Sequence, residues 1–329
     1  MDNQRIFLLD AMSFIYRAYH AMSGRPPMST KAGLPTGCVY IFNNMLQKLR
    51  NDFSPQYLVA CCDVKGPTWH DKVSSTMPPL RKQDKEGVIE EIPYLGYKAN
   101  RHFGEVDDFL VQIPYIYRLL DAHGIPVVKL EGWEADDLIG TLVKRVHTEE
   151  PERIVFIVSS DKDMMQLVDE HTRVLNVAKD NLICDVEKVK ALVGVPPCRI
   201  IDVMALRGDS SDNVPGAPGI GDKGSVELVL QFGSVEDVIE CASQIFKKTY
   251  RVTLELNKDA VLVSKHLVTI DCNAPLTLNI ADMKIRPVNK EALSALYEEL
   301  EFKSIPGARN QEAVHPEEKL MSLNLFEEL

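Results

Sequence analysis

The sequence predicts an α/β fold with a mostly parallel central sheet flanked by helices, and three observations carry that prediction. Short apolar runs at 5–9 (Arg-Ile-Phe-Leu-Leu), 57–62 (Tyr-Leu-Val-Ala-Cys-Cys) and 154–158 (Ile-Val-Phe-Ile-Val) have the length and residue types of buried strands. Helical patterns at about 35–51, 109–123 and 135–147 separate them, so the connections are crossovers. Each run is followed by an aspartate: Asp10, Asp63, and Asp161 with Asp163 two residues on. Ligands of parallel sheets bind at the carboxyl edge, so these aspartates should converge. Taken singly, each is also what a helix cap or a turn uses.

In chain order, Met1-Asp2-Asn3-Gln4 leads straight into the first strand and does not read as a signal peptide. The segment 64–108 is the least regular part, with Pro67, Pro78, Pro79 and Pro93 and mixed charge, and 81–91 reads as solvated surface. Next, Glu134, Asp136 and Asp137 lie directly ahead of Leu138, Ile139, Leu142, Val143 and Val146, a helical apolar series, and so sit on that helix's first turn. Acidic residues there offset the helix dipole. Three anions on one tip also repel one another, which a divalent metal would relieve.

Gly208-Asp209-Ser210-Ser211-Asp212-Asn213 is a turn carrying two further carboxylates, which sequence alone does not assign to the first cluster. Residues 214–224 form a glycine-rich hairpin before a helix at about 222–232 that closes at Gly233. Gly219 and Gly221 would let backbone N–H groups approach a phosphate, with Lys223 adding charge, although a plain helix–helix connection uses the same residues. Ser234 reads as the cap of another helix, and a last helix is expected over 289–301 before a polar tail. The expected units are 1–184, 185–306 and a tail, 307–329.

The 329 residues exceed one typical domain, and no apolar run approaches the roughly 18 residues of a membrane span. Seven cysteines without a C-x-x-C read as reduced thiols, which places the protein in the cytoplasm. A net charge of -11 runs against nucleic-acid binding, but carboxylates gathered around metal would count toward it although their charge is offset in the loaded site.

Taken in order, these motifs resemble the 5′-nuclease family, specifically the 5′ to 3′ exonuclease domain of bacterial DNA polymerase I and its flap-endonuclease relatives. The matching stretches include Leu8-Leu9-Asp10, Tyr16-Arg17-Ala18-Tyr19-His20, Asp63, Tyr97-Lys98-Ala99-Asn100-Arg101, Glu134-Ala135-Asp136-Asp137, Asp161-Lys162-Asp163, Gly208 to Asn213 and Gly219-Ile220-Gly221-Asp222-Lys223. The resemblance spans about residues 4–306. It implies a nucleoid-associated bacterial enzyme that cuts DNA at 5′ ends, flaps or nicks, RNA–DNA primers included, in replication and repair; the chain is expected to stand alone and, with no signal of an obligate oligomer, to be a monomer. It also implies a helical arch over about 64–108 and a helical C-terminal subdomain with a helix-hairpin-helix.

By the same resemblance, Asp10, Asp63, Glu134, Asp136, Asp137, Asp161, Asp163, Asp209 and Asp212 would hold two Mg²⁺ or Mn²⁺ ions, with Asp10, Asp136 and Asp137 central to the chemistry. Lys98 and Arg101 would face the scissile phosphate. Arg17, Tyr97, Gly219, Gly221 and Lys223 would contact DNA, and the hairpin carbonyls would hold K⁺. In the tail, Leu323, Leu325 and Phe326 look like a motif by which bacterial replication proteins bind the sliding clamp.

The chain departs from the family's pattern in four ways. The spacing from Asp63 to Lys98 is longer by roughly twenty residues. His70 stands where arginine is usual, which predicts a weaker, pH-dependent phosphate contact. Gly224-Ser225 replaces Thr-Ala, at about 1 kcal/mol for a glycine inside a helix. With the chain ending at 329, no attached polymerase domain is expected. Two other readings share parts of the pattern: a DNA-junction binder without fast chemistry, and a small-molecule phosphatase, which leaves the hairpin and arch unexplained.

Overall fold

The computed structural model describes residues 5–22, 26–100 and 107–302. The first half runs β1 (Arg5–Asp10), α1 (Ala11–His20), α2 (Gly37–Phe53), β2 (Tyr57–Cys61), α3 (Trp69–Ser74), β3 (Leu80–Gln83), β4 (Ile89–Ile92), α4 (Asp107–Leu110), α5 (Ile113–Ala122) and β5 (Val127–Val128). The chain continues through α6 (Ala135–Glu149), β6 (Ile154–Val158), β7 (Thr172–Asn176), β8 (Leu182–Cys184), α7 (Val186–Val193) and α8 (Ile200–Arg207). The last helices are α9 (Asp222–Phe232), α10 (Val235–Glu240), α11 (Lys248–Val268) and α12 (Lys290–Glu299).

Six strands form one sheet in the order β5-β2-β1-β6-β7-β8, parallel throughout except for the β7–β8 pair. The period of two assigns its faces. Ile6, Leu8, Val59, Cys61, Val155 and Ile157 are buried under α6 and the later helices, whereas Phe7, Leu9, Leu58, Ala60, Phe156 and Val158 are buried under α1, α2 and α5. Because β1, β2 and β6 are parallel neighbours, Asp10, Asp63 and Asp161 leave the sheet at one edge.

The segment expected as a helical arch is only partly helical among its described residues. Its middle is the antiparallel hairpin β3–β4, which has no apolar alternation because nearly all of it is solvated. The exception is Leu80, which is buried beside α11. There the Asn257 side chain accepts from Arg81 N at 2.7 Å and donates to Arg81 O at 2.8 Å, as a neighbouring strand would. Asn257 is also the non-helical residue within α11.

The final helix, assigned from sequence to the C-terminal unit, packs instead on the first one. Leu296, Tyr297 and Leu300 join the core beneath α2 and α5, and Tyr297 Oη lies 3.2 Å from Asn43 Oδ1. Among the described residues no helix is long and apolar enough to cross a membrane.

Candidate active site

Each strand-end aspartate is held by local hydrogen bonds that follow from where it sits. Asp10 caps α1, its Oδ1 accepting from Ser13 N at 2.9 Å, and its Oδ2 accepts from Ser159 Oγ at 2.7 Å. Asp63 Oδ1 accepts from Ala135 N at 2.6 Å, which ties the end of β2 to the first turn of α6. Asp161 Oδ1 accepts from Asp163 N, and Asp209 Oδ1 accepts from Ser211 N.

Eight of the nine predicted carboxylates line one cleft of about 810 Å³, and Lys98 and Arg17 line it with them. Asp209 and Asp212, which sequence alone leaves unassigned, are among the eight. Burial first, then the neighbouring aspartates, pushes Asp163 up to about 8, Asp10 to about 6, and Asp136 well above the usual carboxylate range. Such repulsion between hard oxygen donors is what a divalent cation relieves, so the donor set fits Mg²⁺ or Mn²⁺ chemistry. Among the described residues, no three acidic, histidine or cysteine side chains are grouped closely enough to hold a metal ion as they stand. Lys98 Nζ instead donates to Glu134 Oε2 at 2.6 Å and lies 3.7 Å from Asp212 Oδ2. Lys98 adopts φ +55, rare outside glycine, and its backbone N–H donates to Asp212 O at 2.8 Å.

The ninth carboxylate, Asp137, does not line the cleft. Its side chain is fully buried, Oδ1 accepting from Asp271 N at 2.9 Å and Oδ2 from Trp69 Nε1 at 2.8 Å and Glu134 N at 3.3 Å. These donors engage both oxygens, so Asp137 fixes the tip of α6 from beneath. The spacing of Glu134, Asp136 and Asp137 gave no warning of this, because Trp69 and Asp271 reach Asp137 from segments far away in sequence.

Tyr97, expected at DNA, is likewise turned to positioning: its hydroxyl lies 3.2 Å from Glu134 Oε2 and 3.1 Å from Asp212 Oδ2. His70 is stacked between Trp69, at 3.8 Å between ring centroids, and Tyr97, at 4.8 Å. Burial lowers the His70 pKa to about 3, so it is neutral at physiological pH and is not the pH-dependent phosphate contact expected. This aromatic layer was missed in the sequence; its signal was Trp69-His70 and Tyr97 at the two stems of an otherwise solvated insertion. Arg101 and the tail residues Leu323, Leu325 and Phe326 lie outside the described residues.

The glycine hairpin joins α8 to α9. Gly219 takes φ +89 and a side chain there would meet nothing, so its backbone is both glycine-dependent and open to approach. Gly221 precedes α9 with open space around it, and Lys223 is exposed. Gly224 has another reason: an added Cβ would lie 2.4 Å from Tyr250 Oη, so the residue expected only as a helix penalty makes room for α11.

The family described as "5′-3′ exonuclease, N-terminal resolvase-like domain" matches residues 5–194, and "5′-3′ exonuclease, C-terminal SAM fold" matches 195–291. The chain belongs to the 5′-3′ exonuclease family. A relative named 5′-3′ exonuclease, from Aquifex aeolicus, is 34% identical over 300 residues, 91% of this chain and 93% of that one. The DNA polymerase I of Caldicellulosiruptor bescii is 33% identical over 306 residues, 92% of this chain but 33% of its own length. The chain therefore spans about a third of the length of its polymerase relatives. In fold it is similar to T5 5′-exonuclease with zinc bound, at TM-score 0.64 and 17% identity over 90% of this chain and 98% of that one. The catalytic core of Rad2 with DNA substrate follows at TM-score 0.54 and 14% identity, over 91% and 88%.

Proposed function

We propose that this exonuclease-family protein is a structure-selective 5′ to 3′ exonuclease and flap endonuclease of DNA, dependent on two divalent ions. The observation that carries the reading is the convergence of eight carboxylates from separate segments on one cleft that also contains Lys98. Asp10, Asp63, Glu134, Asp136, Asp161, Asp163, Asp209 and Asp212 are the oxygen donors that would hold Mg²⁺ or Mn²⁺. Bound there, the ions supply a water of lowered pKa and charge stabilisation for the attacking and leaving oxygens.

The chain's own residues do the rest. Ser13, Ser159 and the α6 backbone hold Asp10 and Asp63 in place. Tyr97 and Asp137 fix Glu134 and the helix tip. Lys98, paired with Glu134 and Asp212, would turn to a phosphate bearing developing negative charge, and Arg17, Lys162 and Arg207 line the same cleft. Gly219, Gly221 and Lys223 offer backbone donors and charge to a duplex without reading bases.

Cleavage of a 5′-labelled double-flap duplex tests this. Wild type should cut near the junction in Mg²⁺ and stop in EDTA, and Asp136→Asn should lower turnover by roughly 10³-fold while still binding. A wild-type protein that binds the duplex but leaves it uncut in both Mg²⁺ and Mn²⁺ would replace the enzyme with a junction binder.

A further inference from the structure

The loop that enters α11 carries a feature the cleft does not use. Ile245 is buried and Phe246, the next residue, is 100% exposed. Lys247, Lys248 and Thr249 are exposed after it. A lone exposed ring is common on protein surfaces, and what sets this one apart is the two adjacent ammonium groups and the braced loop that presents it.

The loop is held in shape. The Arg251 guanidinium donates to Ile245 O at 2.6 Å and Phe246 O at 3.0 Å, and Lys247 Nζ lies 3.8 Å from the centre of the Tyr250 ring. It is also continuous with the glycine hairpin. Thr253 Oγ1 donates to Pro218 O at 2.8 Å, and Tyr250 occupies the space that Gly224 leaves open on α9, one residue from Lys223. Thr253 and Tyr250 thus tie the α11 end that carries Phe246, Lys247 and Lys248 to the glycine hairpin, where the backbone at Gly219 and Gly221 is open and Lys223 is exposed.

We infer that Phe246 is an apolar anchor for duplex DNA, laying its ring against the minor groove while Lys247 and Lys248 meet the flanking phosphates. Charge complementarity selects the partner: the ring is flanked by cations and joined to a backbone surface suited to phosphate. The ring's contribution is apolar and so independent of salt, whereas the lysines act through counterion release. The inference rests on the nuclease reading and deepens it by adding a second, sequence-independent grip on the same duplex.

The test is fluorescence anisotropy with labelled double-flap duplex and with single strand, in Ca²⁺ across a salt series. Phe246→Ala should weaken duplex binding about tenfold with the slope of log affinity against log salt unchanged. The double variant Lys247→Ala, Lys248→Ala should lower that slope by about two. Phe246→Ala should leave Tm and single-strand affinity at wild-type values, because its fully exposed side chain supports no packing. Phe246→Ala binding duplex as wild type does, with the wild-type complex intact, would overturn the anchor and leave the loop to a protein partner. If wild type itself binds no duplex, the nuclease reading falls with it.

Discussion

The carboxylate cleft and the glycine hairpin are built in opposite ways. In the cleft the side chains carry the chemistry and the backbone restrains them: Asp10, Asp63, Asp161 and Asp209 each accept a backbone N–H. In the hairpin the side chains are nearly absent, and open backbone at Gly219 and Gly221 is what faces outward. One region repels anions until a cation enters, and the other offers donors to anions as it stands. The contrast teaches that turnover and grip should be separable, with α11 meeting the hairpin through Tyr250 and Thr253 and the β3–β4 insertion through Asn257.

The largest effect should come from the cleft. Lys98→Met removes the cation beside Glu134 and should cut turnover at saturating duplex by roughly 10²-fold, with affinity held to within about twofold. Steady-state cleavage beside anisotropy measures both, and an equal loss of affinity would show that the cleft also grips. Gly224→Ala should do the converse. Its Cβ forces Tyr250 aside, an overpacking worth about 1–3 kcal/mol, so Tm and duplex affinity should fall while turnover at saturation holds. Reduced turnover at saturation would mean that α11 couples the two regions.

The smallest effect is one of pH. Burial and repulsion raise Asp163 to about 8 and Asp10 to about 6, so below those values the metal-free folded protein binds protons that the unfolded chain does not. Stability is therefore lost as pH rises through the folded pKa and regained as it falls. His70, lowered to about 3, acts in the other sense: its contribution is lost as pH falls below the ordinary 6.5. Above the ordinary histidine value of 6.5, where the buried His70 and His123 contribute little, the raised carboxylates dominate, so Tm in EDTA should rise as pH falls from 8 to 6.5. Calorimetry showing a flat or falling Tm there would mean that the cleft carries little repulsion.

The three strand-end aspartates and the tip of α6 were legible in the sequence because short buried strands and an amphipathic helix have strong periodic signals. The burial of Asp137 was not legible, since Trp69 and Asp271 reach it from segments with no local relation to it. Nor was the β3–β4 hairpin, whose solvated strands carry no alternation and whose position depends on one amide in α11. The sequence overstated His70 as a surface group because its neighbours in the stack, Trp69 and Tyr97, stand on opposite sides of the hairpin.

The seat of α12 on the first unit has a consequence for how the protein is made. Asn43 and Tyr297 are neighbours 254 residues apart in sequence, so the core beneath α2 and α5 stays open on the ribosome until about residue 300 has emerged. The helical unit between them is complete earlier. The first unit should then be completed by α12, which closes an interval during which the apolar face of α2 is the part most in need of a chaperone.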